Sequence, residues 1–210
     1  MSRMQRERGK VRGRNSSNRR MIPILLYAAE GKNKTEKNYL QHFNTQDQLI
    51  VKQASGNDTD PVKMMTQLEM SVRELGLSAE NGDMAFCLVD SDTDLSRQPQ
   101  FDRAYQMENS VTRMIVSAPC FELWYLCHFK VGGAFLDSKM VLKKLEKFLP
   151  DYDKSTDVYS RICEKTQTAI ENAGRLRKIH EKNGTNLRSI SCNPRTDVDL
   201  VLEYIMNVLR

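Results

Sequence analysis

The chain has 210 residues, 40% hydrophobic and 28% charged, with 32 Lys and Arg against 27 Asp and Glu. This length supports one good core, or one domain with a smaller appendage. No apolar run approaches the roughly 20 residues of a bilayer span, and no apolar stretch follows the charged N-terminus as in a secretory signal; a cytoplasmic, non-membrane protein is expected.

The net charge of +5 is unevenly spread. Residues 1–20 hold Arg3, Arg6, Arg8, Lys10, Arg12, Arg14, Arg19 and Arg20 against the single acid Glu7, and the rest of the chain has 24 basic and 26 acidic residues. With Gly9, Gly13, Ser16 and Ser17, this stretch reads as a basic arm that is disordered when free. Arg12, Arg14, Arg19 and Arg20 are candidate phosphate contacts to nucleic acid, which carry no sequence information. The alternative is a solubilising tail.

Ile22 to Ala29 reads as a strand buried on both faces. It ends in Glu30-Gly31-Lys32-Asn33-Lys34-Thr35-Glu36. Lys34 to Phe43 follows as a helix, and Leu49 to Val51 as a short strand. Asp60-Pro61 is a helix start with an N-cap and a first-turn proline. Val62, Met65, Leu68, Val72 and Leu75 give that helix its apolar stripe, which ends near Gly76. Met84 to Val89 is a second apolar strand, ending in Asp90-Ser91-Asp92-Thr93-Asp94. Gln98 to Met107 reads as a helix, Val111 to Val116 as a strand, and Ser117-Ala118-Pro119 opens an apolar helix running to about Phe129.

This alternation predicts an α/β core over 21–132, with a mainly parallel sheet flanked by helices. After Gly132-Gly133 the pattern turns helical. Lys139 to Phe148, Val158 to about Glu181, and a last helix opened by Asn193-Pro194-Arg195-Thr196 make a helical region over 133–210, packed on or beside the core. Thr196 and Asp199 have the spacing of a capping box. The five cysteines (Cys87, Cys120, Cys127, Cys163, Cys192) contain no C-x-x-C pair and read as buried, reduced thiols. His42, His128 and His180 are far apart, and His128 reads as a core residue.

The acids carry the functional reading. In open α/β sheets, ligands bind outside the carboxyl ends of strands. Two such ends are acidic here, and crowded carboxylates repel unless protons or a cation neutralise them. Mg²⁺ or Mn²⁺ suits oxygen donors. On an extended segment Asp90 and Asp92 point the same way and reach one cation; the alternative is that they cap the following turn. Glu30 lies beside Gly31, where a ligand can approach the backbone closely, and Lys32 and Lys34 are candidate holders of phosphate oxygens. Glu36 sits in a first helical turn, which favours an acid in any case; a catalytic role is the other reading. Glu122 opens the apolar helix at the same sheet edge, and burying it without a partner is costly. It is a candidate metal ligand, or a group behind the ligands.

Glu30-Gly31 with Thr35-Glu36, followed by Asp90-Ser91-Asp92, resembles the topoisomerase–primase (Toprim) domain. More narrowly, three stretches resemble the RloB-like family: Glu30 to Tyr39, Ser117-Ala118-Pro119-Cys120-Phe121-Glu122-Leu123-Trp124, and Asn193-Pro194-Arg195-Thr196. The resemblance covers about residues 22–209. The resemblance implies a Toprim-like sheet and a Mg²⁺-dependent site that cuts or joins nucleic acid phosphodiesters. It also implies a setting in bacterial anti-phage defence, often beside an ABC-type ATPase. By family pattern Glu30 is a general base or metal ligand, and Asp90 and Asp92 are metal ligands. Tyr152 and Lys154 look like a recurring Tyr-x-Lys, whose lysine would stabilise charge on phosphorus or on a leaving oxygen.

The expected function is a metal-dependent nuclease acting on DNA or RNA. A non-catalytic metal-binding module of a defence complex is the alternative. A receiver-like domain is disfavoured, because the strand from Val111 ends in Ser-Ala-Pro and not in a lysine. No interleaved aromatic and basic pattern marks a base-stacking platform, so the sequence does not choose between DNA and RNA.

Overall fold

The computed structural model describes residues 21–30, 34–56 and 58–210, so the basic arm and Lys32 lie outside the described residues. The strands are β1 (Ile24–Ala29), β2 (Ile50–Gln53), β3 (Met84–Asp90), β4 (Thr112–Ala118) and β5 (Arg195–Thr196). They form one sheet in the order β2-β1-β3-β4-β5. Every neighbouring pair is parallel except β4 with β5. The expected α/β class and mainly parallel sheet are both present.

Covering on both faces explains the unbroken apolar strands. Leu25, Tyr27, Phe86 and Leu88 face one buried cluster, while Ile24, Leu26, Ala85 and Cys87 face another. The second cluster is closed by α2 (Pro61–Leu75) and α3 (Gln98–Gln106). The first is closed by α1 (Thr35–Leu40), α4 (Glu122–Cys127), α5 (Ser138–Leu145), α7 (Thr166–Lys182) and α8 (Val198–Val208), with the short α6 (Tyr159–Ile162) at its margin. Val141, Leu176 and Val201 share this cluster with Leu25 and Phe86, so the C-terminal helices pack directly on the sheet.

Local chemistry sets the ends of α2 as expected. The Asp60 carboxylate accepts from the backbone N–H groups of Val62 and Lys63, both at 3.0 Å. Gly76 ends the helix at φ 63°, a conformation that costs glycine little. No disulfide forms among the cysteines: Cys87, Cys120, Cys127 and Cys192 are buried and Cys163 is half-buried.

The capping box expected at Thr196 and Asp199 does not form. Thr196 belongs to β5, its hydroxyl 3.2 Å from that of Ser117 on β4. Asp199 is fully buried, and a buried carboxylate needs a charged partner more than a helix start needs a cap. That partner is Arg177 of α7, which donates to both Asp199 oxygens. Arg195 is buried as well, donating to the Tyr105 hydroxyl at 2.8 Å and pairing with Asp197 at 3.2 Å. Asn193 accepts from the Leu136 N–H at 2.9 Å and donates to the Leu136 carbonyl at 2.8 Å. The Asn-Pro-Arg-Thr stretch therefore fastens the helical region to β4.

Arg177→Met leaves Asp199 buried without its partner, a change that costs about 3–5 kcal/mol. The double variant Arg177→Met, Asp199→Leu is expected to recover most of that loss in urea unfolding. A double variant as unstable as the single one would reject this account of the pair.

Candidate functional site

Glu30 directly follows β1, and Asp90 is the last residue of β3. These strands pair in parallel, so the two acids leave the sheet side by side. Helix α1 follows β1 and carries Glu36; α4 follows β4, the other neighbour of β3, and opens with Glu122. Three adjacent strand-to-helix connections thus deliver four carboxylates to one edge.

Their environments differ from those of surface acids. Glu36 is 3% exposed, and its Oε2 atom has no hydrogen-bond partner. Burial pushes its pKa up to about 7, helped by the charges of Glu122 and Glu30 and opposed by a backbone hydrogen bond and by Lys154. Burial also pushes Glu30 up to about 7, although Arg97 works against it. Asp90 is raised well above the carboxylate range, first by burial and then by Glu36, Glu30, Glu122 and Asp92. Glu122 is 1% exposed and has partners: its Oε1 accepts from the Tyr152 hydroxyl at 3.0 Å and lies 3.8 Å from Lys154 Nζ. Burial penalises the Lys154 ammonium, but the fields of Glu122 and Asp90 outweigh it and raise its pKa.

Lys154 reaches the cluster from a loop that is tied down over α1. Thr35 donates to the Lys154 carbonyl at 3.1 Å, and Asn38 to the Ser155 carbonyl at 3.0 Å. His42 lies 2.7 Å from Asp157 and stacks on Tyr159 with ring centres 4.1 Å apart.

The extended segment on which the alignment of Asp90 and Asp92 was expected is absent. Asp92 and Thr93 have φ angles of 47° and 61°, so the chain turns at once and the alternation of an extended segment is lost. The Asp92 side chain is 58% exposed and pairs with Arg97 at 3.5 Å. The same guanidinium lies 3.5 Å from Glu30 Oε1. Arg97 went unnoticed in the sequence, where nothing local separates it from a solvated arginine. The signal was the surplus of acid at the strand ends, which calls for a cation among the following residues. Lys34 is exposed and forms no ion pair among the described residues. Lys32, Arg12, Arg14, Arg19 and Arg20 lie outside them. His128 is a core residue as expected, buried and bonded to the Trp124 carbonyl at 2.9 Å.

The model of the RloB-like protein family matches residues 25–205. The chain belongs to the RloB-like family. The match takes in the sheet except Ile24, all four carboxylates and the Asn-Pro-Arg-Thr fastening, and leaves the basic arm outside. No match was found among curated proteins or among solved structures. No helix among the described residues is long and apolar enough to cross a membrane.

Among the described residues, no three His, Cys, Asp or Glu side chains come together closely enough to form a ready metal cage. The donor chemistry of this RloB-like chain nonetheless suits a hard divalent cation. Its crowded groups are carboxylate oxygens, and the orphaned Glu36 oxygen is an unmet demand for a proton or a positive charge.

Glu36 makes a pH test possible. Its folded pKa of about 7 lies above its ordinary value of 4.5, so the folded state holds the proton more tightly than the unfolded state. That stabilisation is complete below about pH 4.5 and is lost as pH rises through 7. Glu36→Gln is expected to stabilise the metal-free protein by about 2–3 kcal/mol at pH 8 and by under about 1 kcal/mol at pH 5 in urea unfolding. Equal effects at both pH values would show that Glu36 carries no such penalty.

Proposed function

We propose that the chain is a divalent-metal-dependent nuclease of the Toprim type, hydrolysing phosphodiesters of DNA or RNA. The convergence of Glu30, Glu36, Asp90 and Glu122 on one sheet edge carries this reading. It lies where α/β sheets bind ligands, and its surplus negative charge is what a cation would neutralise. Glu30, Asp90, Asp92 and Glu122 would hold Mg²⁺ or Mn²⁺, which when bound supplies Lewis acidity at a phosphoryl oxygen and at water.

The chain's own groups have distinct tasks. Glu30 would either hold the cation or take a proton from an attacking water. Lys154 is 50% exposed beside Glu122, which leaves its ammonium free to meet an oxygen on which charge builds. Tyr152 fixes the Glu122 carboxylate by donating to it. The setting in bacterial phage defence, in the cytoplasm and beside an ABC-type ATPase, is proposed from family membership. A second reading is a non-catalytic metal-binding module of such a complex. It draws on the lack of a ready three-ligand cage among the described residues and on the contact of Arg97 with Glu30 and Asp92, which leave no preassembled two-metal site for hydrolysis.

The purified protein, given Mg²⁺ or Mn²⁺ with single- and double-stranded DNA and RNA and with or without a neighbouring ATPase, is expected to cleave only when the cation is present. Asp90→Asn and Lys154→Met are each expected to lower the rate about 100-fold or more while the fold, followed by circular dichroism, is retained. Undiminished cleavage by Asp90→Asn rejects the site. No cleavage under any condition, with ATPase binding intact, selects the module.

A further inference from the structure

The acids at the strand ends outnumber the cations that face them. Among the described residues Glu30, Glu36, Asp90, Asp92 and Glu122 are met by Arg97 and Lys154. Lys154 serves the Glu122 side. Among the described residues, Arg97 is the cation on the Glu30 side, in the turn between Asp92 and α3.

Four oxygens surround its guanidinium. Nη2 lies 3.5 Å from Glu30 Oε1 and 2.9 Å from the Thr59 carbonyl. Nη1 lies 3.5 Å from Asp92 Oδ2 and 3.4 Å from the Asp90 carbonyl. Only the Thr59 contact has the length of a good hydrogen bond; charge-assisted bonds to carboxylate are normally about 2.7–2.9 Å. The group is thus anchored on its Thr59 side, with its carbon 5.4 Å from the centre of the Phe101 ring. It is held loosely on its carboxylate side. Two carboxylate oxygens and a backbone carbonyl are also the donors that a hard divalent cation selects.

We infer that Arg97 is the built-in counter-ion of this site: it occupies the donor set of Glu30 and Asp92 until a divalent cation displaces it. The inference rests on the metal-dependent reading of the same residues. A guanidinium and a divalent ion cannot share two carboxylates at contact distance without strong repulsion, so the two states exclude each other. The Arg97 side chain is 21% exposed.

The test is Mn²⁺ binding, followed by electron paramagnetic resonance of the free ion at pH 8, for the full chain and for Arg97→Met and Arg97→Lys. Removing a competing positive charge is expected to lower the Mn²⁺ dissociation constant of Arg97→Met about tenfold or more. Arg97→Lys, whose single ammonium cannot span both carboxylates, is expected to fall between it and the natural chain. Equal or weaker binding by Arg97→Met, with the natural chain still binding Mn²⁺, overturns the counter-ion role and leaves the metal-dependent reading standing. If neither binds Mn²⁺, both fall together. Should Arg97→Met fail to fold, Arg97→Lys decides alone, since tighter binding than the natural chain supports displacement and unchanged binding rejects it.

Discussion

Electrostatic repulsion among acids held in a poorly hydrated edge governs the organisation of this molecule. A parallel sheet whose strands run the same way must gather the ends of β1, β3 and β4 on one rim, and each of those ends leads into an acid. Once Glu30 and Asp90 are neighbours and Glu36 and Glu122 lie behind them, the cluster is not fully ionised at neutral pH without added positive charge. Tyr152, Lys154 and Arg97 are the chain's partial answers.

The rest of the structure shows what complete answers look like. Asp83 is fully buried, yet its two oxygens accept from the backbone of Ile24 at 2.8 Å and Ser78 at 3.1 Å. Asp199 has both oxygens on Arg177, and Asp197 lies between Arg195 and Arg177. These acids are satisfied as structural groups are. Glu36 keeps a buried oxygen without a partner, and Asp90 forms no ion pair among the described residues. Within one chain, the contrast separates acids whose charge the fold meets from acids whose charge it leaves unmet.

Much of this was legible beforehand because it depends on local pattern. Continuous apolar runs marked the strands of the parallel sheet, two of them ending in acids, and Asp60-Pro61 with Gly76 marked both ends of α2. The family resemblance, carried by short motifs, agrees with the match over residues 25–205. What could not be read depends on chain reversal or on distant partners. Positive φ angles at Asp92 and Thr93 undo the two-residue alternation, although neither residue type demands such a turn. Arg195 and Thr196 were expected at a helix start but form a two-residue antiparallel strand on β4, a pairing 79 residues away along the chain. Arg97 acquires its meaning only from Glu30, which lies on another strand end.

The tether over α1 has a consequence for how the site tolerates change. Thr35, Asn38 and His42 hold the Lys154 loop by its own backbone and by Asp157, while Glu36, one residue from Thr35, points into the acids. Helix α1 and the 3-10 turn that continues it to Phe43 therefore index the anion side and the cation side of the rim against each other. Shifting its register by one residue would rotate it by about 100°, withdrawing Glu36 and releasing the loop together. Length variation in this family should accordingly spare the stretch from Thr35 to Phe43.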